Sequence, residues 1–209
     1  MDFFERLEAV RDRWNVLEHP FYQRWSNGDL TADELSFYAG EYRHAVVALA
    51  EAVEATARAS DPALKAELEE HVAEELAHVD LWDEFTQAVG TESRSQPRAE
   101  TAECVEAWTG GADLLGGLVT LYTIESGQPA ISQTKLEGLV EHYGMAPEGP
   151  ATAYFELHAE LDREHAAHSK RLIEDRLEGA DQDALIERAE AVLRGNWTLL
   201  DGVEKRFDH

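Results

Sequence analysis

The stretch Ala151-Thr-Ala-Tyr-Phe-Glu-Leu-His158-Ala-Glu-Leu-Asp162-Arg-Glu-His165-Ala-Ala-His168 decides how the chain is read. It opens a segment, Ala151 to about Leu177, that reads as one long helix closed by Gly179. His158, Asp162 and His165 stand at i, i+4 and i+7, so the three share one helical face. Two imidazoles and a carboxylate converging on one point suit iron, manganese or zinc. His168 lies just beyond and could substitute. The alternative is a solvated charged face, since Glu156, Glu160 and Glu164 are on the same helix.

Outward from this segment the sequence stays helical. Phe3 to Leu17 has apolar residues at helical spacing, and His19-Pro20 interrupts it. Thr31-Ala-Asp-Glu34 is a capping box opening a helix through about Arg58. Asp61-Pro62 caps a helix running to Gly90. Thr91 to Arg98 reads as a loop, followed by a short helix from about Glu100 to Trp108. Asp113 to Ser126 is largely apolar and reads as a central helix. Helices from Pro129 to Tyr143 and from Asp181 to Phe207 complete the set. The expected fold is all-α, a single domain over residues 1–209 with seven to eight helices in one bundle.

Composition narrows the function. The 209 residues carry a net charge of −25, which disfavours nucleic acid and anionic lipid as partners. No run reaches the roughly 18 apolar residues of a membrane span, and the amphipathic N-terminus lacks the apolar core of a secretory signal. Cys104 is the only cysteine, so neither an internal disulfide nor a cysteine-based zinc site is available. These features point to the cytoplasm. Lys65, Lys135, Lys170 and Lys205 are the only lysines. Strong acidity with scarce lysine suits a halophilic host, where salt screens self-repulsion.

Two other helices carry candidate ligands. His71, Glu74, Glu75 and His78 lie together, and Glu75-x-x-His78 is a spacing that turns both groups inward in di-iron bundles. Glu74 and His78, four apart, would also share a face. Glu125 ends the apolar run Leu114 to Ile124; it is either a costly buried carboxylate that needs a partner or a solvated helix end. Three helices together offer about six ligands, as a two-metal oxygen-activating site requires.

Four stretches carry a family resemblance. They are His19-Pro-Phe-Tyr22-Gln-Arg-Trp followed by Leu35-Ser-Phe-Tyr38, and Glu74-Glu75 followed by His78-Val-Asp-Leu-Trp82. The others are Leu121-Tyr-Thr-Ile-Glu125-Ser-Gly-Gln-Pro through Lys135 to His142-Tyr-Gly144, and Tyr154-Phe with His158, Asp162 and His165. In this order, over about residues 15 to 175, they resemble the haem-oxygenase-like di-metal oxidases of the TenA/PqqC-like fold, in particular the para-aminobenzoate synthase type. The resemblance implies two metal ions, Fe/Fe or Mn/Fe, on Glu74, His78, Glu125, His158, Asp162 and His165. It also implies O2 as co-substrate, an external reductant and a homodimer. By the same resemblance the ring of para-aminobenzoate, a folate precursor, comes from Tyr22 and its nitrogen from Lys135. The family places its first glutamate seven positions before the histidine, where this chain has His71. Glu74, Glu75 or His71 therefore takes that place.

Two further readings share the fold. One is a di-metal oxidase of an external small molecule, with Tyr22 a core aromatic and Lys135 a surface lysine. The other is a metal-free TenA/PqqC-like protein of thiamin salvage or cofactor biosynthesis. Thiamin-salvage hydrolases use a cysteine nucleophile, and Cys104 lies in a short helix away from the expected place.

Overall fold

Capping chemistry sets the two longest helices around the site. The Thr31 hydroxyl accepts from Glu34 N–H while the Glu34 carboxylate accepts from Thr31 N–H. This reciprocal pair opens a helix over Ala32–Ala59. Asp61 accepts from Ala63 and Leu64 N–H ahead of Pro62, and the next helix runs over Pro62–Ala88. The structure, a computed structural model, describes residues 1–91, 96–111 and 113–208. In chain order its helices are α1 (Phe3–Arg13), α2 (Pro20–Asn27), α3 (Ala32–Ala59), α4 (Pro62–Ala88) and α5 (Ala99–Thr109). They continue with α6 (Leu114–Glu125), α7 (Gln128–Glu141), α8 (Ala153–His158), α9 (Leu161–Glu174) and α10 (Gln182–Arg206). A 3₁₀ turn covers Val16–Glu18, and the described residues contain no strand. None of these helices is long and apolar enough to cross a membrane.

The architecture is the expected all-helical one, with two segments beyond the expected eight. His19-Pro20 does more than interrupt. The His19 imidazole accepts from Phe21 N–H, and proline at the first helical position opens α2, which carries Tyr22. The first helix accordingly stops at Arg13, short of Leu17. The Ala151–Leu177 segment also divides, because around Ala159 and Glu160 the backbone tightens to three-residue bonds. Glu160 N–H reaches Leu157 O at 3.2 Å and Arg163 N–H reaches Glu160 O at 3.3 Å. His158 thus ends α8, while Asp162 and His165 begin α9. The expected loop Thr91–Arg98 falls partly on residues 92–95, which lie outside the described residues.

Helix α3 is the hub, packing against α4, α5, α6 and α10. Helix α9 lies on α6, and α8 on both α4 and α7. Trp25, Tyr38, Tyr42, Trp82, Phe85 and Phe155 form an aromatic core between them. Each such ring contributes roughly 1.5–3 kcal/mol by leaving water. Contact between α2 and α7 is unusually close. A Cβ on Gly138 would stand 2.5 Å from the Trp25 indole nitrogen, which itself donates to Lys135 O at 3.2 Å. Only glycine lets these two helices approach so closely.

Candidate metal centre

Helix α4 turns His71, Glu75 and His78 inward, where they are 8%, 1% and 3% exposed. Opposite them are Glu125 at the end of α6, His158 at the end of α8, and Asp162 and His165 in the first turns of α9. The His71 Nε2 lies 3.2 Å from Glu125 Oε1 and 3.6 Å from Glu75 Oε1. His78 Nδ1 lies 3.1 Å from the same Glu75 oxygen. The rings of His71 and His165 are 4.1 Å apart, and those of His78 and His158 are 4.4 Å apart. Two triads result, each with donor atoms mutually within 4.8 Å: His71, Glu75 and His165, and Glu75, His78 and His158. Glu75 is common to both.

Of the eight candidate side chains, seven gather in this cluster and Glu74 does not enter it. Glu75 is at the centre of the cluster. Glu74, with 42% of its side chain exposed, sits at the rim and accepts from His165 Nε2 at 3.0 Å. Adjacent helical residues point about 100° apart, so only one of the pair can face inward. His71 faces inward as well. The signal for it was present, because His71-x-x-x-Glu75-x-x-His78 has the same spacing as His158-x-x-x-Asp162-x-x-His165.

Six buried nitrogen and oxygen atoms of this cluster make no hydrogen bond of good geometry, His71 Nε2 and Glu125 Oε1 included although they face each other at 3.2 Å; the others are Glu75 Oε2, His158 Nε2, Asp162 Oδ2 and His165 Nδ1. Buried polar atoms are ordinarily satisfied, so a concentration of orphans marks a missing positive partner. The His158 tautomer fits. Its Nδ1 lies 2.7 Å from Tyr154 O, which can only accept, so Nδ1 carries the proton and Nε2 presents a lone pair. Imidazole nitrogens with hard carboxylate oxygens suit first-row divalent metals. Without a cation the charges compete. Burial lowers the His71 pKa, but Glu125 and Glu75 outweigh it and raise it to about 10. Burial, reinforced by Glu125 and Glu75, raises Asp162 well above the carboxylate range.

Beyond this cluster lies an aromatic box around Lys135, a residue only 1% exposed. Its Nζ is 4.3 Å from the centre of the Tyr42 ring and 5.4–5.7 Å from those of Tyr38, Phe155, Trp82 and Tyr22. Burial pushes the ammonium down to about 7. Tyr22, also buried, has its hydroxyl 3.4 Å from that of Tyr38, and burial raises its pKa well above the usual value. The reading of Lys135 as a surface lysine is thereby overturned. The box meets the cluster through Tyr154, whose ring stacks on His158 at 3.9 Å and lies 4.8 Å from Trp82. Sequence reasoning did not find Tyr42, Trp82, Tyr154 or Phe155 as neighbours of Lys135. Aromatic residues at helical spacing signal only core.

Residues 36–200 match the family described as iron-containing redox enzyme, which has the haem-oxygenase-like name. The chain belongs to this family. Among curated proteins it is 34% identical to a 4-aminobenzoate synthase of Chlamydia muridarum, over 96% of this chain and 89% of that one. It is 33% identical to a protein of the same name from Chlamydia trachomatis serovar D, over 96% and 91%. The protein of that name from Nitrosomonas europaea is 24% identical, over 98% and 92%. Among solved structures, the TenA homologue from P. horikoshii OT3 matches with a TM-score of 0.80 at 14% identity, covering 98% of this chain and 99% of that one. A heme oxygenase-like domain from Shewanella denitrificans matches at 0.77 and 17% identity, covering 100% and 94%. These two likenesses speak to the family's fold. Cys104 is fully buried, and burial raises its thiol pKa strongly.

Proposed function

We propose that the chain makes 4-aminobenzoate, taking the ring from its own Tyr22 and the amino nitrogen from its own Lys135. The six orphaned donor atoms carry the metal part of this reading. Glu75, Glu125, His71, His78, His158, Asp162 and His165 would hold two metal ions, Fe/Fe or Mn/Fe. Such a pair, with O2 and an external reductant, supplies the oxidising power. Our assignment departs from the resemblance at one position, taking Glu75 with His71 in place of Glu74.

The protein's own residues do the rest. Glu75 lies between the two triads and gives them a common anionic ligand. Tyr154 fixes the His158 tautomer through its carbonyl and covers the ring with its own. The aromatic box excludes water and shifts Lys135 towards the neutral amine, the only form with a lone pair for forming a C–N bond. Nζ stands 5.7 Å from the Tyr22 ring, so tethering replaces a bimolecular encounter. Consumption of both side chains would limit each chain to about one turnover.

The test is protein loaded with iron and manganese, exposed to oxygen with reductant. Mass spectrometry should find 4-aminobenzoate in the solution and a matching loss in the intact chain. Tyr22→Phe and Lys135→Arg should each abolish both changes. Product at wild-type yield from the two variants would rule out self-sacrifice, and product far in excess of enzyme would favour an external substrate.

A further inference from the structure

A cavity of about 240 Å³ lies between α1 and the 3₁₀ turn on one side and the α6–α7 junction and α10 on the other. Its lining shares no residue with the metal cluster, although Ile124 and Ser126 flank Glu125 in the chain. Trp14 and Trp108 give it flat apolar walls, and Gln128 and Asn196 supply side-chain amides. Gln128 hydrogen-bonds the Tyr42 hydroxyl at 3.5 Å. The Tyr42 ring is the nearest aromatic face to Lys135. The cavity is therefore one layer of side chains away from the aromatic box.

Its polar groups are arranged for a ligand with two different ends. Asn196 is 9% exposed, and its Oδ1 has no partner, so a buried acceptor awaits a donor. Arg11, also in the lining, spends N–H groups on Glu8, Thr123 O and Ser126 Oγ and has others to spare for an anion. A cavity of roughly 150 Å³ already admits benzene, so one substituted ring fits here. We propose that this cavity binds a small aromatic carboxylate bearing an amino group, with the amine on Asn196 and the carboxylate on Arg11. The inference rests on the proposed function only for the ligand's origin: the product of the packed box would pass through here on leaving.

Calorimetry on the full-length, metal-free protein, with added 4-aminobenzoate, tests this apart from catalysis. Saturable one-to-one binding is expected, with benzoate at least about tenfold weaker because it leaves Asn196 unpaired. Asn196→Leu should abolish that preference. Ala130→Trp, an exposed substitution at the lining that leaves the core untouched, should block binding of both ligands. No binding to wild-type protein, or binding unchanged by Ala130→Trp, would overturn the proposal. Protein that makes 4-aminobenzoate yet does not bind it would remove the cavity site alone. Protein that binds it yet never makes it would remove the proposed function alone.

Discussion

Along α4 two buried regions meet, and they treat charge in opposite ways. At His71, Glu75 and His78 the helix enters a crowd of imidazoles and carboxylates whose donor atoms outnumber their partners. One turn further on, Trp82 helps to enclose a single amine among ring faces. The first region leaves six buried polar atoms without a hydrogen bond. The second is complete as packed, and it weakens the charge of Lys135 rather than pairing it. The difference teaches that burial alone does not identify a site. The count of unsatisfied atoms marks the first region, and the chemical oddity of an unpaired buried lysine marks the second.

The largest expected effect breaks the first region and leaves the second alone. Glu75→Gln removes the carboxylate common to both triads. Metal content by elemental analysis should fall from about two ions per chain to below one, and product yield should fall by about 100-fold or more. Near-ultraviolet circular dichroism from the aromatic box should be unchanged. Two ions retained at wild-type affinity would show that Glu75 is no ligand.

Next comes the reverse experiment. Lys135→Met fills the box with an apolar chain of similar length. It should raise stability to urea by about 1–3 kcal/mol while eliminating product. The pH dependence sharpens the point. Lys135 has a folded pKa of about 7 against an unfolded value of 10.5. The unfolded chain therefore binds more protons in that window, and stability should rise as pH goes from about 7 to 10.5. In Lys135→Met that part of the slope should disappear.

A conventional ion pair supplies the reference for both regions. Burial would raise Glu34, but Thr31 and Arg24 hold it down to about 2. This contribution is fully present above pH 4.5 and is lost as pH falls through about 2. Arg24 also bonds Glu204 at 2.9 Å. Arg24→Met should therefore cost about 3 kcal/mol in urea denaturation at pH 7. A cost below about 1 kcal/mol would place this pair with ordinary surface bridges.

The smallest effect concerns the exterior. With a net charge of −25, molar salt should raise the urea midpoint by screening surface repulsion. The metal content of the buried cluster should not change. A midpoint indifferent to salt would count against a halophilic host.

What the sequence discloses follows from how local each signal is. Capping boxes and N-cap prolines are local, so the starts of α3 and α4 could be read directly. The i, i+4, i+7 spacing is local too, and His158, Asp162 and His165 do reach one cluster, although the helix divides between the first and the other two. The choice between Glu74 and Glu75 was not legible, because it depends on how α4 is rotated against α6 and α9. The break after His158 was hidden for a similar reason. No glycine or proline marks it, and only the tightened backbone around Glu160 reveals it. Lys135 lies furthest from a local signal, since its burial comes from rings on α2, α3, α4 and α8.

The near-contact at Gly138 has a consequence for engineering. The helix bearing Lys135 stops against an indole, a rigid limit that no rotamer change can relax. A single methyl group added there would act as a spacer between α2 and α7, drawing the amine away from its ring with every reactive group intact. On the proposed function, such a chain would keep its lysine and every candidate ligand and yet release no product.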